Sequence, residues 1–464
     1  MGKRILIWLG TLVLQVAIVP VQALAGTISY LLRTPTPAQA EAVCHHYGLQ
    51  LVRSLNNKDL YLVTASDVLQ PDLLKQWVKN DPDVKNLEVD NKVVVPETKL
   101  SSSSPYVPPM PLTMYVTDAR LVRLYGPRAW VGYVEQPAMY LTNAATVHQQ
   151  NLTGAGVIVA IIDTGVDPMN RILAPVLVPG YDFTRNIAGW ASELADLNQS
   201  TAAILEQSTS AILEQKTVMQ LNQSTAAILE QSTAAILEGQ HLPAYLGHGT
   251  MVAGLVHLVA PSAKIMPLKA FRADGSSNSS DVVRAIYFAV DNGAKVINMS
   301  FEIAQFSDEL MRAINYASRK DVICIASVGN EGQRELVYPA ALGNVVGVAS
   351  TSQQNQPSSF TNLGSDLVAV AAPGEALVTT YLGSHYAAVW GTSFSSALVA
   401  GGAALVVDGA NGNTSRQLEV ADVQRAFSQA NPACSPKGDL GAGCLDLHQA
   451  VEYIKKLNLP VTSH

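Results

Sequence analysis

Three residue types that cooperate in nucleophilic catalysis occur along this chain in the order Asp, His, Ser, each within two positions of a glycine. Asp163-Thr164-Gly165 follows the continuous apolar run from Val157 to Ile162. A carboxylate at the C-terminal end of a strand, held in a glycine turn, stands where α/β proteins bind ligands. Gly247-His248-Gly249-Thr250 opens a helix-like apolar run from Met251 to Val259. The flanking glycines allow other backbone to approach the imidazole closely. Gly391-Thr392-Ser393-Phe394-Ser395-Ser396 leads into the small, apolar stretch Ala397 to Val407. A serine at a helix N-terminus sits beside free N–H groups and the positive end of the dipole, which suits a nucleophile whose intermediate carries an oxyanion. A fourth segment, Ser327-Val328-Gly329-Asn330-Glu331-Gly332, follows an apolar strand, and the Asn330 amide can donate to such an oxyanion.

Taken singly, each of these has an ordinary reading: a turn Asp, a structural His, a turn Asn, a Ser N-cap. Two alternatives fall on composition. Asp-Thr-Gly also occurs in aspartic proteases, but that chemistry needs a second such carboxylate, and no second Asp-Thr-Gly or Asp-Ser-Gly is present. The Ser393 segment lacks the last glycine of a Gly-x-Ser-x-Gly elbow, so it does not match an α/β-hydrolase.

The elements that must position these residues are legible from about residue 140 onward. Apolar runs at 157–162, 263–268, 296–299, 322–326, 345–348 and 367–370 alternate with helical patterns, two of them at 281–292 and 307–320. Short strands apolar on both faces belong to parallel sheets covered by helices, so an α/β architecture is expected with helices on both faces.

The five-copy, eight-residue repeat at 200–239 breaks that alternation. Its composition favours helix, but eight residues do not match a 3.6-residue period, so a single coiled-coil seam is not expected. A helical or partly disordered surface insertion is the first reading, and a self-association or partner-docking arm the second.

The N-terminal third reads differently. Lys3 and Arg4, the apolar run from Ile5 to Pro20 and Ala23-Leu24-Ala25 make residues 1–25 a secretory signal peptide. A membrane anchor is the alternative, but the run is at the short limit of about 20 residues for a span, and no stable membrane span is expected. Residues 26–100 read as a small α+β domain, with strands near 27–32 and 59–63, helices at 37–47 and 69–80, and a last extended piece at 84–96. Ala40, Val43 and His46 are spaced for one helix face. Residues 101–139, opening with Ser101–Ser104 and prolines at 105, 108, 109 and 111, read as a linker and lead-in open to proteolysis. The rest, 140–460, is the candidate catalytic domain.

Bulk composition narrows the function classes. The 464 residues are 48% hydrophobic and 14% charged, enough to fill a large core. With a net charge of −7 and no long basic run, no nucleic-acid partner is expected. Of four cysteines, Cys434 and Cys444 are ten positions apart and are candidates for a small-loop disulfide in an oxidising compartment. Cys324 lies in a buried-strand pattern, and Cys44 has no evident partner. No Cys/His cluster has zinc spacing.

Together the motifs VIVAIIDTGVDP, GHGTMVAGLV and GTSFSSALVAGGAAL, in that order with SVGNEG between the last two, resemble the subtilisin-like (S8) serine peptidase family over about residues 140–455. The resemblance implies a subtilisin-like parallel sheet preceded by a small α+β prodomain, and a secreted serine endopeptidase, extracellular or periplasmic. It implies Ser393 as nucleophile, His248 as general base and then acid, and Asp163 as the group that orients the imidazole. Asn330 would line the oxyanion hole with the Ser393 N–H. Ser300, Phe301, Ser327, Val328 and Gly329 would flank the substrate backbone. Residues 27–97, most clearly DPDVKNLEVD at 81–90, resemble the family's inhibitory I9-type propeptide, so the expected partners are polypeptide substrates and the chain's own propeptide. No cofactor is implied for the chemistry; calcium is frequent in the family, but its ligands here are unknown. Three departures stand out. Asp163 and His248 lie 85 positions apart (248 − 163), Phe394-Ser395 replaces the commoner Met-Ala, and Glu302 stands where many members have Gly. A non-catalytic binding or scaffold protein on the same fold remains the alternative.

Overall fold

A computed structural model describes residues 26–67, 70–95, 118–197, 219–220, 226–228, 243, 245–411, 418–429, 434 and 439–457. The signal-peptide segment 1–25 and the linker at 101–111 lie outside the described residues. Contacts divide the chain into two compact units, Met1–Arg53 with Tyr61–Val89, and Ser54–Leu60 with Asp90–His464.

In the first unit β1 (Thr27–Arg33), β2 (Gln50–Ser54), β3 (Leu60–Ser66) and β4 (Asn86–Val89) form a sheet in the order β2-β3-β1-β4. β1 and β4 are antiparallel, with Leu32 opposite Leu87. Helices α1 (Pro37–Tyr47) and α2 (Pro71–Val78) complete it. Thr36 caps α1 by accepting from the Gln39 N–H, Pro37 supplies the first turn, and left-handed Gly48 ends the helix. Its buried face is Ala40, Val43 and Cys44, not His46, which is exposed. Cys44, without a partner in the sequence, is a buried free thiol in this small core.

The second unit carries the candidate site. It contains β5 (Lys92–Val94), the hairpin β6 (Leu121–Arg123) and β7 (Arg128–Trp130), and short helices α3 (Val131–Val134), α4 (Pro137–Leu141) and α5 (Ala144–His148). Leu124, Ala129, Tyr133, Ala138 and Met139 belong to its core, so residues 118–139 are packed structure where a lead-in was predicted.

Its eight-stranded sheet runs β10-β9-β13-β8-β15-β16-β17-β18. The strands are β8 (Ile158–Asp163), β9 (Gly180–Asp182), β10 (Ile187–Gly189), β13 (Lys264–Lys269), β15 (Val296–Met299), β16 (Ile323–Ser327), β17 (Val345–Thr351) and β18 (Val370–Pro373). All neighbours pair in parallel except β10, which is antiparallel to β9. α6 (His248–Val259) packs on β8, and α9 (Thr392–Asn411) packs on α6 and on β15–β18. α7 (Ser279–Asp291) lies on β8 and β13, with α8 (Asp308–Ser318) beside it on β16. This is the doubly covered, mostly parallel sheet the sequence predicts. α10 (Val420–Phe427) and α11 (Leu447–Leu457) close the unit.

Two expectations change. The last strand begins at Val370, three residues later than the apolar run suggests. The N–H groups of Leu367 and Val368 both donate to the Gly364 carbonyl, which winds that stretch into a turn. Most of the repeat at 200–239 lies outside the described residues. Where it is described it is extended: β11 (Met219–Gln220) and β12 (Ala226–Ile228) join the hairpin of β19 (Leu377–Tyr381) and β20 (His385–Val389). Ala226 pairs with Val389 and Ile228 with Ala387. An open strand edge there overrides helical propensity. α9 is a second apolar stretch long enough to cross a membrane by composition, but it is buried in the core, where a helix apolar all round belongs.

Candidate active site

The sheet order places β13 and β15 on opposite sides of β8. The C-terminal end of β8 is therefore a switch point, the crevice where open α/β sheets bind ligands. Asp163 is the last residue of that strand. Its Oδ1 accepts from the Thr164 N–H at 2.7 Å and from His248 Nδ1 at 2.7 Å. Both side chains are buried, so the pair works in a low-dielectric setting where its attraction is strong.

The glycines of the two motifs have a steric reason. A Cβ on Gly249 would stand 2.0 Å from the Gly165 carbonyl oxygen. The Asp turn and the first turn of α6 meet there, and only a bare backbone lets Asp163 reach His248. His248 itself opens α6, with Gly247 before it at φ 94°.

On the other side Ser393 is fully buried at the start of α9. The His248 ring lies 5.5 Å from the ring of Phe394, the next residue, which brings the imidazole to the serine's helix. Asn330 Oδ1 accepts from the Thr392 N–H at 2.9 Å and from Thr392 Oγ1 at 3.0 Å. A backbone N–H only donates, so the bound atom is the amide oxygen and Nδ2 is the atom turned elsewhere. Ser300 Oγ donates to the Ser393 carbonyl at 3.0 Å, and Asn298 Nδ2 donates to Ser300 Oγ at 2.8 Å. Ser327 ends β16, and Val328 and Gly329 carry the chain from it to Asn330. Phe301 is buried, its ring 5.2 Å from that of Phe271. Cys434 and Cys444 are joined as a disulfide. Among the described residues, no three or more His, Cys, Asp or Glu side chains gather to hold a metal ion.

Sequence reasoning missed Glu193 and Lys269, which lie behind Asp163. Glu193 is fully buried, and its Oε1 accepts from Thr164 Oγ1 and from the Thr250 N–H, both at 2.9 Å. Burial, with the Asp163 charge adding to it, pushes this carboxyl up to about 8. Lys269 Nζ, also fully buried, donates to the Thr164 carbonyl, the Phe271 carbonyl and Asp196 Oδ2. One short helical turn, Glu193–Asp196, thus supplies both carboxylates. Nothing in the local sequence marks it, because its partners are 29 to 77 positions away.

The chain is similar in sequence and fold to known proteins. The subtilase family (peptidase S8) matches residues 154–442. The thermophilic serine proteinase of Bacillus sp. (strain AK1) is 30% identical over 296 residues, 64% of this chain and 61% of that protein. Thermitase of Thermoactinomyces vulgaris is 34% identical over 218 residues, 45% of this chain and 75% of that one. Subtilisin Savinase of Lederbergia lenta is 38% identical over 169 residues, 34% and 62% of the two chains. The chain thus spans just over three-fifths of the length of the first and third of these relatives. In fold it is similar to fervidolysin from Fervidobacterium pennivorans, with a TM-score of 0.64 at 17% identity, covering 92% of this chain and 61% of that one. Since the family match takes in all four motifs and more than half of the residues, the chain belongs to the subtilase family.

Proposed function

We propose that this chain is a secreted serine endopeptidase, made as a zymogen that processes itself. The observation that carries the reading is the buried 2.7 Å hydrogen bond from His248 Nδ1 to Asp163, with Ser393 at the neighbouring helix N-terminus. Asp163 fixes the tautomer that leaves Nε2 as the base. His248 takes the Ser393 proton as Oγ attacks the scissile carbonyl. The oxyanion that forms is met by Asn330 Nδ2 and the Ser393 N–H. His248 then gives its proton to the leaving amine, which departs and leaves an acyl-enzyme on Ser393. Water, deprotonated by the same imidazole, attacks the ester and restores the serine.

Two features support the zymogen. The first unit is a separate α+β module with its own core, which we read as the I9-type propeptide. The segment after it, Lys92–Val94, pairs antiparallel with Ser276–Asn278, and Val94 bridges to Glu302. An extended backbone is held there as a peptide substrate would be, by added-strand pairing. Export is read from the charged, apolar and Ala-x-Ala start of the sequence and from the disulfide.

The test is labelling with a fluorophosphonate, wild type beside Ser393→Ala, with intact mass on both. The reading expects label on Ser393 of the wild type alone, an N-terminus beyond about residue 97 there, and retention of the N-terminal module in the variant. A wild type that neither labels nor loses the module would leave the scaffold reading in its place.

A further inference from the structure

Two carboxylates stand beside the oxyanion donor. β15 and β16 are parallel neighbours, Met299 opposite Ala326, so the segments leaving them, Ser300–Glu302 and Val328–Glu331, run side by side. They converge on Gly329, whose φ of +96° and lack of a Cβ let both carboxylates and Asn362 Nδ2, 2.5 Å from where a Cβ would stand, close on one side of its backbone. A Cβ built there would meet Glu302 Oε2 at 2.3 Å and Glu331 Oε2 at 2.7 Å. Glu302 is only 3% exposed. Glu331 Oε2 accepts from Asn362 Nδ2 at 2.8 Å, and its Oε1 is buried with no hydrogen-bond partner among the described residues. Glu331 makes no ion pair there either.

A second observation concerns the occupant. Val94, in an extended segment of this chain, forms an antiparallel bridge with Glu302. Polypeptide backbone therefore already lies along the residue that carries one of the carboxylates. Gly329 immediately precedes Asn330, so a peptide whose carbonyl oxygen meets Asn330 Nδ2 carries the side chain of that same residue to the Gly329 face.

We propose that Glu302 and Glu331 form an acidic specificity pocket, and that the enzyme cuts after Arg and Lys. The proposal rests on the endopeptidase reading above. Glu302 is buried and Glu331 half-buried, and two carboxylates side by side repel each other, which a cationic side chain lying against both would relieve. A guanidinium can meet both with paired N–H groups, so Arg is favoured over Lys. A buried carboxylate in a peptidase pocket selects cationic side chains in this way.

The experiment uses the full chain after maturation, its competent Ser393 counted by fluorophosphonate titration. Peptide anilides differ only in the residue before the scissile bond: Arg, Lys, Leu, Phe, Ala and Glu. The proposal expects kcat/KM for Arg to exceed that for Leu or Phe by roughly 10- to 100-fold, the size of a charged hydrogen bond or two, with Glu the poorest substrate. Benzamidine should inhibit competitively, and Glu302→Gln should cut the Arg-over-Leu ratio by about tenfold. If that variant does not fold, Glu331→Gln makes the same test, and the wild-type series needs no variant. Titratable enzyme that prefers Leu, Phe or Ala would overturn the acidic pocket and leave the endopeptidase reading standing. Enzyme that neither titrates nor cleaves would overturn both.

Discussion

The groups that support Asp163 and His248 from behind are ionisable; those that hydrogen-bond Ser393 and Asn330 in place are neutral, and the carboxylates of Glu302 and Glu331 stand to one side, beside Gly329. Behind the first pair lie the Glu193 carboxyl and the Lys269–Asp196 ion pair, 2.6 Å between charged atoms. Behind the second lie the hydroxyls of Ser300, Ser396 and Thr392 and the amide of Asn298. The difference follows from what each half must do. In the proposed mechanism the Asp–His half has to carry an imidazolium, and fixed charges nearby set the cost of making it. In the same mechanism the serine half has to meet a charge that exists only transiently, and neutral dipoles held in place by neutral partners do so. Substitutions should therefore fail differently in the two halves, through turnover in one and through stability and pH response in the other.

The largest expected effect lies in the neutral half. Asn330→Ala removes one proposed oxyanion donor while Thr392 and Ser393 stay anchored through α9. Turnover should fall by about 10²–10³-fold with KM nearly unchanged, the loss measured for such a donor in subtilisin, which belongs to this same family. The shape of the pH–rate profile should not move. A change in its limbs would mean that Asn330 also acts on His248, and the contrast between the halves would dissolve.

Next in size is Lys269→Met in the charged half. The substitution strips the Thr164 carbonyl, the Phe271 carbonyl and Asp196 of their shared donor. Among the described residues it leaves the Asp196 carboxylate only the more distant Arg185 guanidinium as a cation, at 3.8 Å. Breaking such a buried pair costs about 3 kcal/mol. Urea unfolding in a Ser393→Ala background, which prevents self-digestion, measures it. A variant as stable as its parent would show that the ion pair contributes nothing to holding the Asp163 turn.

Much of this was legible in the sequence, and the reasons are local. The strand ends, the helix starts and the glycines of the Asp163 and His248 motifs are short-range signals, and Gly249 meeting the Gly165 carbonyl gives them their steric cause. The α6 and α9 runs are apolar on all sides because both helices are buried. What the sequence hid is long-range. Glu193 and Lys269 look like ordinary surface charges until the chain folds the 193–196 turn beneath Thr164. His46 has helix-face spacing but points to solvent, because the small core is filled from the adjacent Cys44 side. The strand at 226–228 follows from an open hairpin edge far along the chain, which no eight-residue window contains.

The response most diagnostic of the charged half is one to pH. Glu193 is buried beside Asp163, Thr164, Thr250, Lys269 and Tyr381, and burial holds its carboxyl at about 8 against an ordinary 4.5. Because the folded value is the higher one, the native state keeps a proton between about pH 4.5 and 8 that the unfolded chain has released. Stability from this group is therefore full below about pH 4.5 and declines as pH rises through that window, by at most about 1.4 kcal/mol per unit. Above about 8 both states are ionised and the penalty is constant. Glu193→Gln keeps an oxygen for Thr164 and the Thr250 N–H but cannot ionise. Measured in the Ser393→Ala background, its unfolding midpoint should gain on the parent's from pH 5 to pH 8 and then run parallel. Curves parallel across the whole range would mean that Glu193 is ionised at neutral pH. Asp163 and Glu193 would then both be anionic behind His248, and the charged half would stabilise the imidazolium with two carboxylates where the present geometry assigns it one.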